Sequence, residues 1–417
     1  MLPVLSRGID GKPAGAAGGV AETAAAGHVQ ASTPLGEPAG KAAGPEALPC
    51  PWPAWQVFAA RFVQPDGRVL DPSSPRAHTV SEGQAYALFF ALVQGDRAAF
   101  ERILRWTEDN LAAGDLALRL PAWQWGRRDD NTYGVLDANS ASDADLWLAY
   151  SLAEAGRLWG ERRYRALSSL VAERILREET ALVPGLGRTL LPGAQGFSPE
   201  QGRWRLNPSY APPFLMTWFA THSGDPRWEE VRRSAHRMLV ESAPLGLAPD
   251  WAYYAADAGD PATTSAASGK FALKSLPPEQ RVGGYDAIRV YLWLGLTHAA
   301  DPGRAALLQH FSPLAQAIEA AGAPPRAWDA GSAELGGPAG SPGFAAAVLP
   351  FLAGLERTDA AHKMLTRLQS NPPSNDAYYD QALSLFGRGG YEGRFSFAAD
   401  GSLVLPAGPC EPGAAKP

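Results

Sequence analysis

Cysteine is almost absent. The 417-residue chain has two, Cys50 in ALPCPWPAW and Cys410 in PAGPCEPG, and they are not spaced as metal ligands. Its seven His are scattered and form no HExxH pattern, so no catalytic metal is expected. The chain also has no basic footprint for phosphates: its net charge is −6, which argues against a nucleic-acid partner. No stretch approaches the roughly 18 consecutive apolar residues of a membrane span. No GxSxG nucleophile elbow occurs, and the GLG of VPGLGRTLL is followed by no nucleotide-binding pattern, so it reads as a turn and no cofactor is expected. The basic start and apolar run of a secretory signal are likewise not seen, and export is not legible in this sequence.

What is present describes a globular protein with a large core: 46% hydrophobic and 19% charged residues. Its 13 Trp and 12 Tyr supply many flat faces, and sugar rings are among the ligands that stack on such faces. Residues 1–48 are rich in Ala, Gly and Pro with no periodic apolar face, and read as a disordered segment. Residues 49–417 contain no linker and read as one domain. Cys50 and Cys410 bracket that domain. Domain termini often lie close together, so a disulfide between them is one reading if the protein is exported, and two unpaired thiols is the other.

From Trp55 onward helical periodicity dominates. It predicts twelve helices, near residues 55–62, 81–95, 97–112, 142–159, 161–179, 211–223, 227–242, 286–300, 303–321, 341–355, 358–370 and 376–388. The odd members, such as RAAFERILRWTEDNLA, have a broad polar side. The even members, such as AYALFFALV and IRVYLWLGL, are apolar nearly all round and should be buried. Exposed and buried helices in alternation, joined mostly by short turns, suggest six helical hairpins in a ring: an all-α (α/α)6 barrel.

SEGQ at the start of the second helix has the pattern of a capping box, with Ser81 as the cap and Glu82 as the first helical residue. The fourth helix begins SASDAD and the eighth GGYDAIR. In a ring of alternating hairpins the inner helices run the same way, so their N-termini share one rim. Glu82, Asp143, Asp145 and Asp286 would then converge at one mouth. Two carboxyl groups across a sugar-binding groove are what glycosidic hydrolysis requires, one protonating the leaving oxygen and the other activating water or attacking directly.

The segment ASDADLWLAYSLAEAGRLW resembles the signature of glycoside hydrolase family 8, and SEGQAYALFF, PAWQWG, WRLNPSY, APDWAYY and GGYDAIRVYLW follow the family's pattern over residues 50–410. The resemblance is nearest to the branch encoded with bacterial cellulose synthase, and the flanking cysteines fit that branch. It implies an inverting endo-β-1,4-glucanase on an (α/α)6 barrel, periplasmic or secreted, acting on cellulose, with a cellulose synthase complex as a partner. Carried over by position, Glu82 matches the general acid, Asp286 the general base, and Asp143 the residue that holds and distorts the sugar. Asp145 would support Asp143, Tyr210 would position the water, Arg289 would orient Asp286, and Tyr285 is its neighbour in the motif. Trp123, Trp125, Trp204 and Trp251 are candidates to stack on glucose rings and Arg205 to donate to sugar hydroxyls; core packing and an ordinary ion pair are the plain alternatives. Residues 256–283 look like a long flexible loop before the base. The rival functions are hydrolysis of xylan or chitosan, and a non-catalytic glucan-binding subunit.

Overall fold

The computed structural model describes residues 51–197, 203–257 and 268–406. Cys50, Cys410 and the segment 1–48 lie outside the described residues, as do 258–267 within the expected loop.

Among the described residues there are fourteen α-helices: α1 Pro53–Phe62, α2 Ser81–Gln94, α3 Arg97–Leu111, α4 Ser142–Leu158, α5 Arg162–Glu178, α6 Pro213–His222, α7 Arg227–Glu241, α8 Ile288–Leu296, α9 Arg304–His310, α10 Ser312–Ala321, α11 Pro342–Ala347, α12 Leu349–Gly354, α13 Thr358–Ser370 and α14 Tyr378–Tyr391. The excess over twelve comes from two expected helices that are each divided, by Phe311 ahead of Pro313 and by Val348 ahead of Pro350. Proline lacks the N–H that would continue the ladder, so each break falls at a predictable point. The helix expected over 286–300 is shorter at both ends, leaving Asp286 on the loop before α8.

α2, α4, α6, α8, α11 with α12, and α14 form the inner ring. Nearly every residue of α2 and α4 is buried, whereas α3, α5, α7 and α13 bury one face only. The ring closes on its axis through rings supplied by five inner helices: Phe89, Trp147, Phe214, Trp293 and Phe386. Trp147 lies 5.0 Å from Phe386 and 5.5 Å from Trp293, and Phe89 lies 4.8 Å from Trp147. The expected (α/α)6 barrel is therefore the architecture seen.

The N-termini of the inner helices share one rim. Arg289 at the start of α8 reaches Glu82 on α2 and Asp143 on α4. Ser341 before α11 donates to Asp380 of α14, and Tyr379 donates to the Tyr285 carbonyl before α8. Trp293 donates to the Ser209 carbonyl just ahead of α6. The far end is closed by the hairpin of Ser396–Phe397 and Leu403–Val404, whose Phe397 stacks on Phe214 at 3.9 Å. Buried Glu154 accepts from Leu403 N and Trp218 Nε1 and fastens this plug.

An all-α reading omits the strands. The stretch before α4 carries the hairpin of Gln124–Arg127 and Tyr133–Asp137, and the one before α11 carries Pro325–Asp329 with Leu335–Ala339. The expected loop 256–283 is corrected in the same way. Ser268–Phe271 pairs with Ala252–Asp257, two short 3-10 turns follow, and Val282–Gly283 pairs with Trp328–Asp329. Among the described residues no helix is long and apolar enough to cross a membrane.

Candidate active site

The capping box at Ser81 does not form. Val80 is the cap residue, Ser81 is already helical, and no side chain caps the end. Gln84 points inward instead, accepting from Val69 N and donating to Thr107 Oγ1 at 2.9 Å. The start of α2 is thus anchored from below, and Glu82 is left facing the mouth with 21% of its side chain exposed.

Arg289 organises the site. Its side chain is 2% exposed, and its guanidinium holds three carboxylates at once. Nη1 donates to Glu82 Oε2, to Asp143 Oδ2 at 3.1 Å and to the Tyr86 hydroxyl at 3.1 Å, while Nη2 donates to Asp286 Oδ1 at 2.9 Å. Glu82 and Asp286 therefore sit on different nitrogens of one planar fork. Asp286 accepts a further bond from Asn207 Nδ2 at 3.2 Å on its other oxygen. Tyr210 lies under the guanidinium, 5.5 Å from its ring centroid.

One guanidinium cannot neutralise three carboxylates, and burial raises the cost of leaving them ionised. Burial, then the Glu82 charge, pushes Asp143 well above the usual carboxylate range, with Arg289 opposing. Asp286 is also raised, by burial first, with Arg289 opposing.

The loop carrying Asp286 is fixed by Asp250, whose Oδ1 accepts from Gly284 N at 2.8 Å, Asp286 N at 3.0 Å and Ala287 N at 2.8 Å. Burial and the Asp286 charge push Asp250 up to about 7. The sequence reading passed over Asp250, although it stands within APDWAYY.

Of the acids expected at the mouth, Glu82, Asp143 and Asp286 meet and Asp145 does not. Asp145 is fully buried and turned toward Glu179. Tyr285 is exposed at the rim, 5.2 Å from Phe344 and 6.0 Å from Tyr379. Trp251 has the Arg205 guanidinium 3.7 Å above its ring and Phe197 near-parallel at 6.2 Å. Arg205 is thus a cation stacked on an indole, and among the described residues it forms no ion pair. Trp125 has Arg68 at 4.3 Å and half-exposed Tyr133 stacked at 5.4 Å, with the same guanidinium 5.6 Å from the Tyr133 ring. Trp123 and Trp204 are half-buried. Ser81 N donates to Trp123 O and Trp123 N to Asn139 O, which ties Trp123, just ahead of the strand, to the start of α2.

The profile of glycosyl hydrolases family 8 matches residues 45–393. The chain belongs to this family. It is 46% identical over 355 residues to an endoglucanase of Escherichia coli O157:H7, covering 85% of this chain and 91% of that relative. The endo-1,4-D-glucanase from Vibrio fischeri ES114, of known crystal structure, superposes with a TM-score of 0.74 at 41% identity, over 85% of this chain and 99% of that one. The endo-β-1,4-glucanase from Acetobacter xylinum superposes with a TM-score of 0.65 at 26% identity, covering 82% and 98%. This family 8 protein is a glycoside hydrolase.

Proposed function

We propose that this family 8 hydrolase is an inverting endo-β-1,4-glucanase that cuts internal bonds of cellulose, with Glu82 as general acid, Asp286 as general base and Asp143 as the group that holds and distorts the sugar. The observation that carries the reading is the single buried guanidinium of Arg289 holding all three carboxyls at one rim. The similarity to endoglucanases supports the substrate.

In this mechanism the ionised form of Asp286, which Arg289 and Asn207 favour against the burial that raises its carboxyl, takes a proton from water as the water oxygen bonds to the anomeric carbon. The bond from that carbon to the glycosidic oxygen breaks, and the leaving oxygen takes the proton of Glu82. Asp286 ends protonated and Glu82 ionised, and exchange with solvent restores both. Tyr210, beside the Arg289 fork, is placed to orient the water. The same proposal has the enzyme acting outside the cytoplasm, periplasmic or secreted, on nascent glucan beside a cellulose synthase complex; the motif-level resemblance supports this.

The test is hydrolysis of a soluble cellulose derivative, following viscosity and reducing ends together. The wild type should lose viscosity early, and Glu82→Gln and Asp286→Asn should each lose about 10²–10⁴-fold in kcat. Proton NMR of the first products should show the α-anomer. Glucan binding with no new reducing ends would replace the enzyme with a binding subunit, and a β-anomer would overturn inversion.

A further inference from the structure

Asp145 stands two residues after Asp143 in the first turn of α4, and both its carboxyl oxygens are buried without an N–H or O–H donor. It faces Glu179, the residue that ends α5, whose Oε2 is likewise buried without a donor. Both side chains belong to residues with 0% exposure. Glu179 is itself held at its carboxyl and at its carbonyl. Oε1 accepts from Ser140 Oγ at 2.6 Å, that hydroxyl accepts from Ala194 N at 3.1 Å, and the Glu179 carbonyl accepts from Leu191 N at 2.7 Å. The Ser142 amide that opens α4 donates to Pro192 O at 3.1 Å in the same layer.

The other charged groups facing the pair are all acidic. Asp143 approaches from α4, and Glu178 from the end of α5, already engaged by Arg174 and Arg177 at 2.7 Å each. Ser140 and the Ala194 amide complete the surroundings. Among the described residues no ion pair reaches either carboxyl. Two carboxylates cannot be buried together without a cation, so one proton must lie between them.

We propose that Glu179 is a positioning residue for the reaction: by sharing one proton with Asp145 it pins the first turn of α4, and so sets where Asp143 meets the sugar. The inference rests on the role proposed above for Asp143. The titration agrees with the geometry, since burial raises both groups and takes Glu179 to about 8.

The test compares wild type, Glu179→Ala, Glu179→Gln and Asp145→Asn. Glutamine can donate to Asp145 and accept from Ser140, replacing the shared proton permanently. On a soluble cellulose derivative Glu179→Ala should lose at least about tenfold in kcat with KM nearly unchanged, the cost of a misplaced group, and Glu179→Gln should recover most of it. In melting measurements from pH 5 to 9, wild-type Tm should fall more steeply than that of Glu179→Gln or Asp145→Asn, because only the wild-type pair has a proton to lose. A folded alanine variant with wild-type kcat overturns the inference, as does a glutamine variant no better than alanine. Equal slopes of Tm against pH, or failure of both amide variants to fold, also overturn it. A wild type that cleaves nothing would instead strike the proposed function, and the Tm slopes would still decide the shared proton.

Discussion

Arg289 and Asp250 act on the same catalytic loop from opposite directions. Arg289 holds the Asp286 carboxylate from within the barrel, and Asp250 holds the backbone that presents it, collecting three amides on one oxygen. A charged acceptor of amide hydrogens is among the stronger hydrogen-bonding arrangements a protein offers. Without it, the Gly284–Ala287 turn has three unpaired donors and no reason to keep its shape. Asp250→Ala should therefore lower kcat by about 10–100-fold with little change in KM, since a displacement of about 1 Å at the reacting groups costs on that order. Asp250→Asn keeps the accepting oxygen and should fall between the two. Steady-state kinetics on soluble cellulose derivatives decides the matter, and an alanine variant with wild-type kcat would mean that the turn holds itself.

At the scale of helices, the barrel depends on close approaches that side chains would prevent. Gly387 on α14 lies so near α11 that a Cβ there would stand 2.0 Å from the Ala346 carbonyl oxygen and 2.5 Å from its carbon. Backbone cannot swing aside as a side chain can. Gly387→Ala should therefore destabilise by about 1–3 kcal/mol or more, seen as a lower urea midpoint with an unchanged slope. An unchanged midpoint would mean that α14 can slide on α11 at no cost. The contact also marks where the sequence was legible. Buried and exposed helices could be told apart by their apolar pattern, because each inner helix is surrounded by others and each outer one meets water. The three meeting carboxyls followed, because a shared rim is a consequence of the ring. Asp250 and Glu179 did not follow, because their partners are backbone amides and a second acid more than 30 residues away, which no local spacing encodes. The hairpins at the rim were hidden because their strands are two to six residues long, too short for alternation to stand out from loop composition. The capping box failed because Gln84 found better partners in the core than at the helix end.

Across the whole molecule, the perturbed carboxyls fall into two groups that act in different pH ranges. Asp225, Glu229, Asp329 and Asp400 lie below the ordinary carboxylate range, held there chiefly by hydrogen bonds to arginine side chains or backbone amides. They are partly exposed to water, and their stabilisation is lost only as pH falls through those lowered values. Asp143, Asp145, Glu179, Asp250 and Asp286 are raised, burial being the first cause in each. For a raised carboxyl the sign reverses. The folded state holds the proton more tightly than the unfolded chain, so the contribution is complete below the unfolded value and is lost as pH rises through the folded one. Asp250 at about 7 and Glu179 at about 8 place that loss between about pH 4 and pH 8. In the proposed mechanism activity runs the other way at its acid edge, because Asp286 as the base must ionise before it can accept a proton from water, and burial delays this. The enzyme should therefore be most heat-stable on the acid side of its activity optimum, with Tm falling steadily from pH 5 to 8 while kcat/KM is still rising at the lower end of that range. Differential scanning calorimetry and initial rates in the same buffers test both halves. A Tm that climbs with pH over this window would show that the buried carboxyls carry no extra protons in the folded state, and that the cluster around Arg289 is held by charge alone.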